Sequence, residues 1–349
     1  CVVPMDFDQD GDIDFFRGGQ VVPHGYPKTP RSYILVNDKG KFTDKTSEIG
    51  GLTEVGMVNS AIFTDLDGDK KNELVVVGEW MPVTIFSFAD GKFNDVTSRY
   101  ISEKTEGWWS KVFADDLDGD GDQDLILGNI GENYKFRASV EKPFQVYAKD
   151  FDGNGTNDIF LARYLTDSLL VPIRGKECTS QQMPIIAEKF PTFRDFANSD
   201  LSGILGDGMK QAVHKKATLF SSVFMMNENG KLRISKLPVE AQLSIINAVV
   251  VQDFDGDGIK DILLAGNKFD VEVETTPADG SPGVLMKGLG NMKFKCLKSA
   301  ESGFFVPYNV KDMQPIQSVD GWSVIVSSNN DKARTFGIRR PPAKTVVLK

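Results

Sequence analysis

Acidic residues recur in this chain at a spacing suited to holding a hard cation. Five stretches, beginning at Asp6, Asp65, Asp116, Asp150 and Asp253, place oxygen-bearing side chains at positions 1, 3, 5 and 9, and each then runs into an apolar segment. Calcium takes about six to eight oxygen ligands at short range, and alternate residues of a tight loop can aim their carboxylates at one centre. Position 7 offers a backbone carbonyl, and glycine at position 6, Gly258 in the last loop, lets the chain double back through positive φ. The expected shells are Asp6, Asp8, Asp10, Asp12 and Asp14; Asp65, Asp67, Asp69, Lys71 and Glu73; Asp116, Asp118, Asp120, Asp122 and Asp124; Asp150, Asp152, Asn154, Thr156 and Asp158; and Asp253, Asp255, Asp257, Ile259 and Asp261. A solvated acidic turn uses the same residue types. Five turns with one internal register are not explained by turn chemistry alone. The departures are Lys70 at position 6 and Glu73 at position 9 of the second loop, and Asn154, whose amide oxygen still ligates but lowers the charge of the fourth.

The elements around the loops repeat as well. GKFTDKT at 40–46 returns as GKFNDVT at 91–97, so the register is shared beyond the acidic residues. Each unit reads as loop, strand, turn, strand, the pattern of an antiparallel meander. A period of about 50 residues with four strands per unit points to a β-propeller, whose blades bury their faces against one another. The expected fold is all-β, with six or seven four-stranded blades in a single domain over 1–349. Residues 174–217 break the alternation, and apolar spacing predicts short helices at Thr192–Asn198 and Asp200–Leu205, an insertion in the scaffold. Strands are expected to resume at Thr218–Met226 and Ala248–Gln252. A last, loop-less unit spans Asn309–Phe336, with strands at Ile316–Val319 and Trp322–Ser327.

DFDGDGIKDILLAG, DLDGDGDQDLILGN and DFDGNGTNDIFLAR resemble the FG-GAP/VCBS repeat family, the calcium-loop propeller repeats of integrin α-chains and many secreted bacterial proteins. The order of WW, EKPFQVYAKDFDGNGTNDI, RGKECTSQQMP and SAESGFF is similar to the C-terminal part of long bacterial surface proteins with FG-GAP and ASPIC/UnbV-type segments. The resemblance implies architecture and calcium, with the ions as structural staples at blade rims, and implies no reaction.

Composition narrows the function further. The net charge of −9 misstates a loaded protein, because 19 of the 49 acidic residues are the expected ligands; five bound Ca²⁺ ions would bring the formal charge to about +1. No basic run tracks phosphates, which argues against nucleic acid as a partner. No apolar run approaches the roughly 20 residues of a membrane-spanning helix. Three cysteines without a CxxC pair argue against a disulfide framework or zinc. Two histidines, His24 and His214, leave little for His-based catalysis. Loops of this type saturate where calcium is millimolar, so the expected location is extracellular or on the outer surface of a bacterium. The opening CVVPMDFDQDGD starts inside a strand, as if cut from a longer precursor.

The expected function is a calcium-stabilised binding module for a protein or glycan partner; a non-catalytic scaffold or accessory subunit of a surface complex is the alternative. Candidate ligand-binding residues are Arg174, Glu177, Ser180, Gln181 and Gln182 of the insertion, with Trp108 and Trp109, since aromatics anchor glycans and proteins. A propeller hydrolase or lyase would draw on the same insertion with Lys176 and Cys178, but no Ser-His-Asp or Cys-His order is recognisable, and the chain is expected not to be an enzyme.

Overall fold

Each acidic loop connects two antiparallel strands, and the hairpin so formed is the unit from which the sheets grow. The computed structural model describes residues 1–271, 275–318 and 321–338, with 40% of the chain in strands and 13% in helices. The expected strand end at Val319 lies outside the described residues.

The first sheet is β1 (Val2–Met5), β2 (Asp14–Arg17), β3 (Tyr33–Asp38) and β4 (Lys41–Asp44), paired in that order, followed by the one-turn helix α1 (Thr46–Ile49). The second is β5 (Met57–Thr64), β6 (Glu73–Met81), β7 (Thr84–Ala89) and β8 (Lys92–Asp95), then α2 (Thr97–Tyr100); β9 (Gly107–Trp108) adds to β6. The repeated KF-x-D-x-T motif has a structural reason. Thr46 Oγ1 accepts the Ile34 N–H at 2.8 Å and Thr97 Oγ1 accepts the Ile85 N–H at 2.9 Å, so each threonine satisfies a third-strand donor and starts the helical turn.

The order then changes. β10 (Lys111–Asp115) and β11 (Asp124–Gly128) begin a third sheet, but the chain leaves it to build a fourth from β12 (Phe144–Lys149), β13 (Asp158–Tyr164), β14 (Leu170–Pro172) and β15 (Val213–Ala217). Only then do β16 (Val223–Asn227) and β17 (Leu232–Lys236) complete the third, in the order β10-β11-β16-β17. The fourth sheet runs β14-β13-β12-β15, with its last strand on the opposite edge from a meander. The expected strand Thr218–Met226 holds only in its second half: Val223–Met226 belong to β16, while Thr218–Ser222 link it to β15 of a different sheet, and Ser221 and Ser222 mark the crossing. The residues between the fourth and fifth loops hold no complete extra sheet. They complete the fourth and third sheets and supply the helices α3 (Lys176–Gln182), α4 (Ile185–Lys189), α5 (Phe193–Ala197) and α6 (Leu201–Leu205), the last two capped at Thr192 and Asp200.

The fifth sheet is β18 (Ile246–Gln252), β19 (Asp261–Gly266), β20 (Val284–Gly288) and β21 (Phe294–Leu297), followed by α7 (Ser299–Ser302). The sixth has three strands among the described residues, β22 (Val310–Ser318), β23 (Gly321–Ser328) and β24 (Arg334–Gly337). Antiparallel four-stranded sheets with alternating apolar faces are propeller blades in kind.

The nesting divides the chain into two compact units, one of Cys1–Val112 with Lys135–Phe220, the other of Phe113–Tyr134 with the chain from Ser221 onward. In the first, Phe16, Ile34, Val58, Leu74, Val76 and Phe86 form a core between β2, β3 and β5–β7. The helices are individually too short to persist alone. Met183, Ile186, Phe190, Phe196, Leu201 and Ile204 hold them by burial against Tyr147, Phe160 and Ala162 of the fourth sheet, each large apolar side chain contributing about 1.5–3 kcal/mol. In the second unit, Ile126, Phe224, Val249, Ile262 and Met286 form one core, and Val250, Leu263, Phe304, Val310 and Val324 another.

Candidate metal loops

The chain enters each loop from one strand and leaves by the next, so the carboxylates at positions 1 and 9 are fixed at the mouth of a hairpin. In four loops the carboxylates at positions 1, 3 and 9 converge: Asp65, Asp67 and Glu73; Asp116, Asp118 and Asp124; Asp150, Asp152 and Asp158; Asp253, Asp255 and Asp261. In the first loop the converging set is Asp6, Asp8 and Asp10. Within each set, one oxygen per residue lies within 4.8 Å of the others.

Backbone amides preorganise this arrangement. At position 1, Oδ1 of Asp65, Asp116, Asp150 and Asp253 accepts the N–H of position 4 at 2.7–2.8 Å, and Oδ2 takes the N–H of position 6. These donors fold back only because two residues adopt positive φ. Position 4 is Gly68, Gly119, Gly153 and Gly256, with Gln9 in the first loop; position 6 is Gly11, Gly121, Gly155 and Gly258, with Lys70 in the second. The glycine at position 4 is as much a part of the loop as that at position 6, and the repeated DxDG was its signal. At position 5, Asp10, Asp69, Asp120, Asn154 and Asp257 each accept the N–H of position 7 (Asp12, Lys71, Asp122, Thr156 and Ile259) at 2.8–2.9 Å.

Position 9 closes the loop from inside. Glu73, Asp124, Asp158 and Asp261 accept the N–H of position 2 (Leu66, Leu117, Phe151 and Phe254) at 2.9–3.0 Å. A second donor comes from the third strand of the sheet: Asn37 to Asp14, Asn227 to Asp124 and Gly288 to Asp261, each at 2.8 Å. In the second loop the Tyr100 hydroxyl bonds Glu73 instead, and the fourth loop differs again. Its β14 pairs only with Ala162–Tyr164 and stops short of Asp158, so Gln182 of α3 approaches instead, Nε2 to Oδ1 at 3.5 Å, steadied by Arg174 Nη1 on its Oε1 at 3.0 Å.

Burial pushes every closing carboxylate up: Glu73 to about 7 and Asp124 to about 6, and Asp14, Asp158 and Asp261 in the same direction. Neighbouring carboxylates add to the shift, Asp67 and Asp69 beside Glu73 and Asp118 and Asp120 beside Asp124. In the first loop Asp6 Oδ1 and Asp14 Oδ2 are buried without a hydrogen-bond partner. Buried carboxylate oxygens without donors are costly, and a cation is the species that satisfies several at once. The oxygen-only donor sets fit a hard divalent ion such as calcium.

A family model described as FG-GAP-like repeat matches residues 6–76 and 65–127, which span the first three loops. Residues 6–127 carry FG-GAP-like repeats. No curated protein matches the sequence. The loops at 150–158 and 253–261 lie beyond the matched stretch, yet they keep the FG-GAP-like spacing and the same amide pattern at positions 1, 5 and 9.

The candidate ligand-binding residues fall into three settings. Glu177 and Gln181 are exposed on α3, and Arg174 and Gln182 form the bracket that faces Asp158. Ser180 Oγ is buried without a partner. Trp108 is part of an aromatic cluster with Trp80, Phe136, Phe144 and Phe220, ring centroids 4.9–5.8 Å away. Trp109 is corrected: it is fully buried and donates its Nε1–H to the Thr105 carbonyl at 2.8 Å, so it packs the interior and presents no surface to a ligand. Gln182 lies against Asp158 of the fourth acidic loop, a connection the linear spacing of the insertion did not reveal. Cys1, Cys178 and Cys296 are all free thiols.

Proposed function

We propose that this chain is a calcium-stabilised binding module of FG-GAP-like repeats that works outside the cell, at or near a bacterial surface, with a protein or glycan as its partner and no reaction of its own. The observation that carries the reading is the pair of partnerless buried oxygens on Asp6 and Asp14, within a loop design used five times. Without an ion, each loop crowds like charges behind a buried carboxylate. With one, those charges become ligands and the loop locks the hairpin that starts each sheet. A bound calcium would supply charge neutralisation and fixed geometry. Asp, Glu and Asn154 side chains would hold it while the backbone amides hold them.

This role needs a protein that folds around its ions, so binding and stability are linked. Thermal melting in millimolar calcium against excess EDTA tests it. The expected outcome is a loss of about 10 °C or more on chelation, corresponding to a few kcal/mol; an unchanged melting curve sinks the ion sites and with them the module.

A further inference from the structure

One of the five loops already holds a cation, and it is a lysine. Lys287 Nζ sits on Asp255 Oδ2 and, at 3.1 Å, on Asp257 Oδ2, the carboxylates at positions 3 and 5 of the loop at 253–261. The pair is about two-thirds shielded: Lys287 and Asp255 are each 32% exposed. Strand register provides an internal control. The residue after each closing carboxylate pairs with the third strand as Phe15↔Leu35, Leu74↔Phe86, Leu125↔Met225 and Ile262↔Met286. The next residue on that strand is therefore Val36, Ser87, Met226 and Lys287. Of these four loops, the fifth alone has a charge there. Arg99 also reaches Asp67 of the second loop at 2.6 Å, but from the turn of α2 and with 60% exposure.

We propose that Lys287 is a built-in counter-ion that competes with a divalent cation for Asp255 and Asp257, making the loop at 253–261 a weaker calcium site than the same loop without that lysine and one that stays neutralised when calcium is withdrawn. An ion entering this loop must displace the ammonium from two of its ligands, whereas at the corresponding positions of the first three loops it meets Val36, Ser87 or Met226. The cost of that exchange comes off the binding free energy. The proposal rests on the reading of the loops as calcium sites.

The test is a calcium titration followed by terbium luminescence, with melting in calcium and in EDTA, on wild type, Lys287→Met, Lys287→Gln and Lys287→Arg. Met is what the third loop carries at this register. Both neutral variants are expected to gain affinity at one site by at least about tenfold, or about 1.4 kcal/mol. Lys287→Arg, which keeps the charge, is expected to stay within about threefold of wild type. Adding Asp253→Asn to Lys287→Met is expected to abolish the gained affinity. In melting, the neutral variants should lose stability in EDTA and recover it in calcium; a lysine that merely packs would cost stability in both. The proposal is overturned if neither neutral variant binds calcium more tightly than wild type, or if Lys287→Arg gains as much as they do. If the wild type binds no calcium at any loop, it is the metal reading itself that fails.

Discussion

The second and fourth sheets start from the same hairpin and end differently. In the second, the strand leaving the loop, β6, is buried for nearly its whole length and is followed directly by β7 and β8 as a meander. In the fourth, β14 is short, β15 crosses to the far edge, and four helices lie between them. The acidic loop therefore dictates the hairpin but not the sheet built on it. The rest of each sheet depends on which segment can approach the closing carboxylate and cover the central strand. In the fourth sheet that role, held by a third-strand backbone amide in the first, third and fifth sheets, passes to a helix and the Gln182 side chain.

The largest effect that can break this comparison is loss of the closing carboxylate. Glu73→Ala removes the buried acceptor of the Leu66 N–H and a candidate metal ligand, and is expected to cost about 2–4 kcal/mol in calcium, read as a lower melting point of the whole first unit. Asp158→Ala strands the Phe151 N–H and also frees Gln182, so its signature should be local: faster hydrogen exchange over 176–211 at a smaller cost in melting temperature. Equal global losses with no local loosening of the helices would mean that the two sheets close alike.

How much of this was legible in the sequence divides along the same line. The loops were readable because carboxylates that converge from one tight loop need a fixed spacing, and Thr46 and Thr97 were readable as a repeat even before their role as acceptors was known. The nesting of β12–β15 inside the third sheet was not, because strand order is decided by long-range pairing. Val223–Leu127 and Phe144–Ala217 leave no mark on local alternation. Thr218–Met226 read as one strand because apolar residues flank Ser221 and Ser222 on both sides, whereas the structure keeps only Val223–Met226 in a strand and uses Thr218, Ser221 and Ser222 as buried polar junctions between sheets. Trp109 was ambiguous for a simple reason: an aromatic residue serves core and surface equally well, and burial alone decides between them.

The next effect isolates the helical side of the comparison. Gln182→Leu keeps the bulk of the side chain, removes the amide facing Asp158, and deprives Arg174 of its acceptor on that side chain. The expected loss is about 1 kcal/mol, confined to the fourth loop, with calcium affinity lowered at one site and the others unchanged. A variant with wild-type calcium binding would reduce Gln182 to packing and leave the fourth loop closed by Phe151 alone.

Proton linkage separates the loops again when metal is absent. Glu73 ionises at about 7 in the folded chain, because burial disfavours its charge, against about 4.5 when unfolded. Between those values the folded state keeps a proton that the unfolded state releases, so metal-free stability falls as pH rises from about 4.5 to 7. Asp124, at about 6, adds to the same slope over the lower part of that window. Calcium needs the ionised form and should flatten or reverse the trend. Melting in EDTA across this range is expected to show the decline in wild type and a shallower one in Glu73→Gln; a slope untouched by that substitution would remove Glu73 from the account.

The smallest effect concerns position 6, where the second loop pays a backbone cost that the fourth avoids. Lys70 sits at φ +70°, a conformation that a side chain resists by about 1 kcal/mol, while Gly155 occupies the equivalent position at +87° with open space around it. Lys70→Gly relieves the strain but adds freedom to the unfolded chain, so the net gain is expected to be at most about 0.5 kcal/mol. Gly155→Ala should lose a similar amount, since a Cβ there meets no atom within 4 Å and strain is the sole penalty. Opposite signs of comparable size, measured by denaturant unfolding in saturating calcium, would show that both loops require the same backbone turn. A destabilised Lys70→Gly would instead show that the lysine side chain contributes more to the second loop than its strained backbone costs.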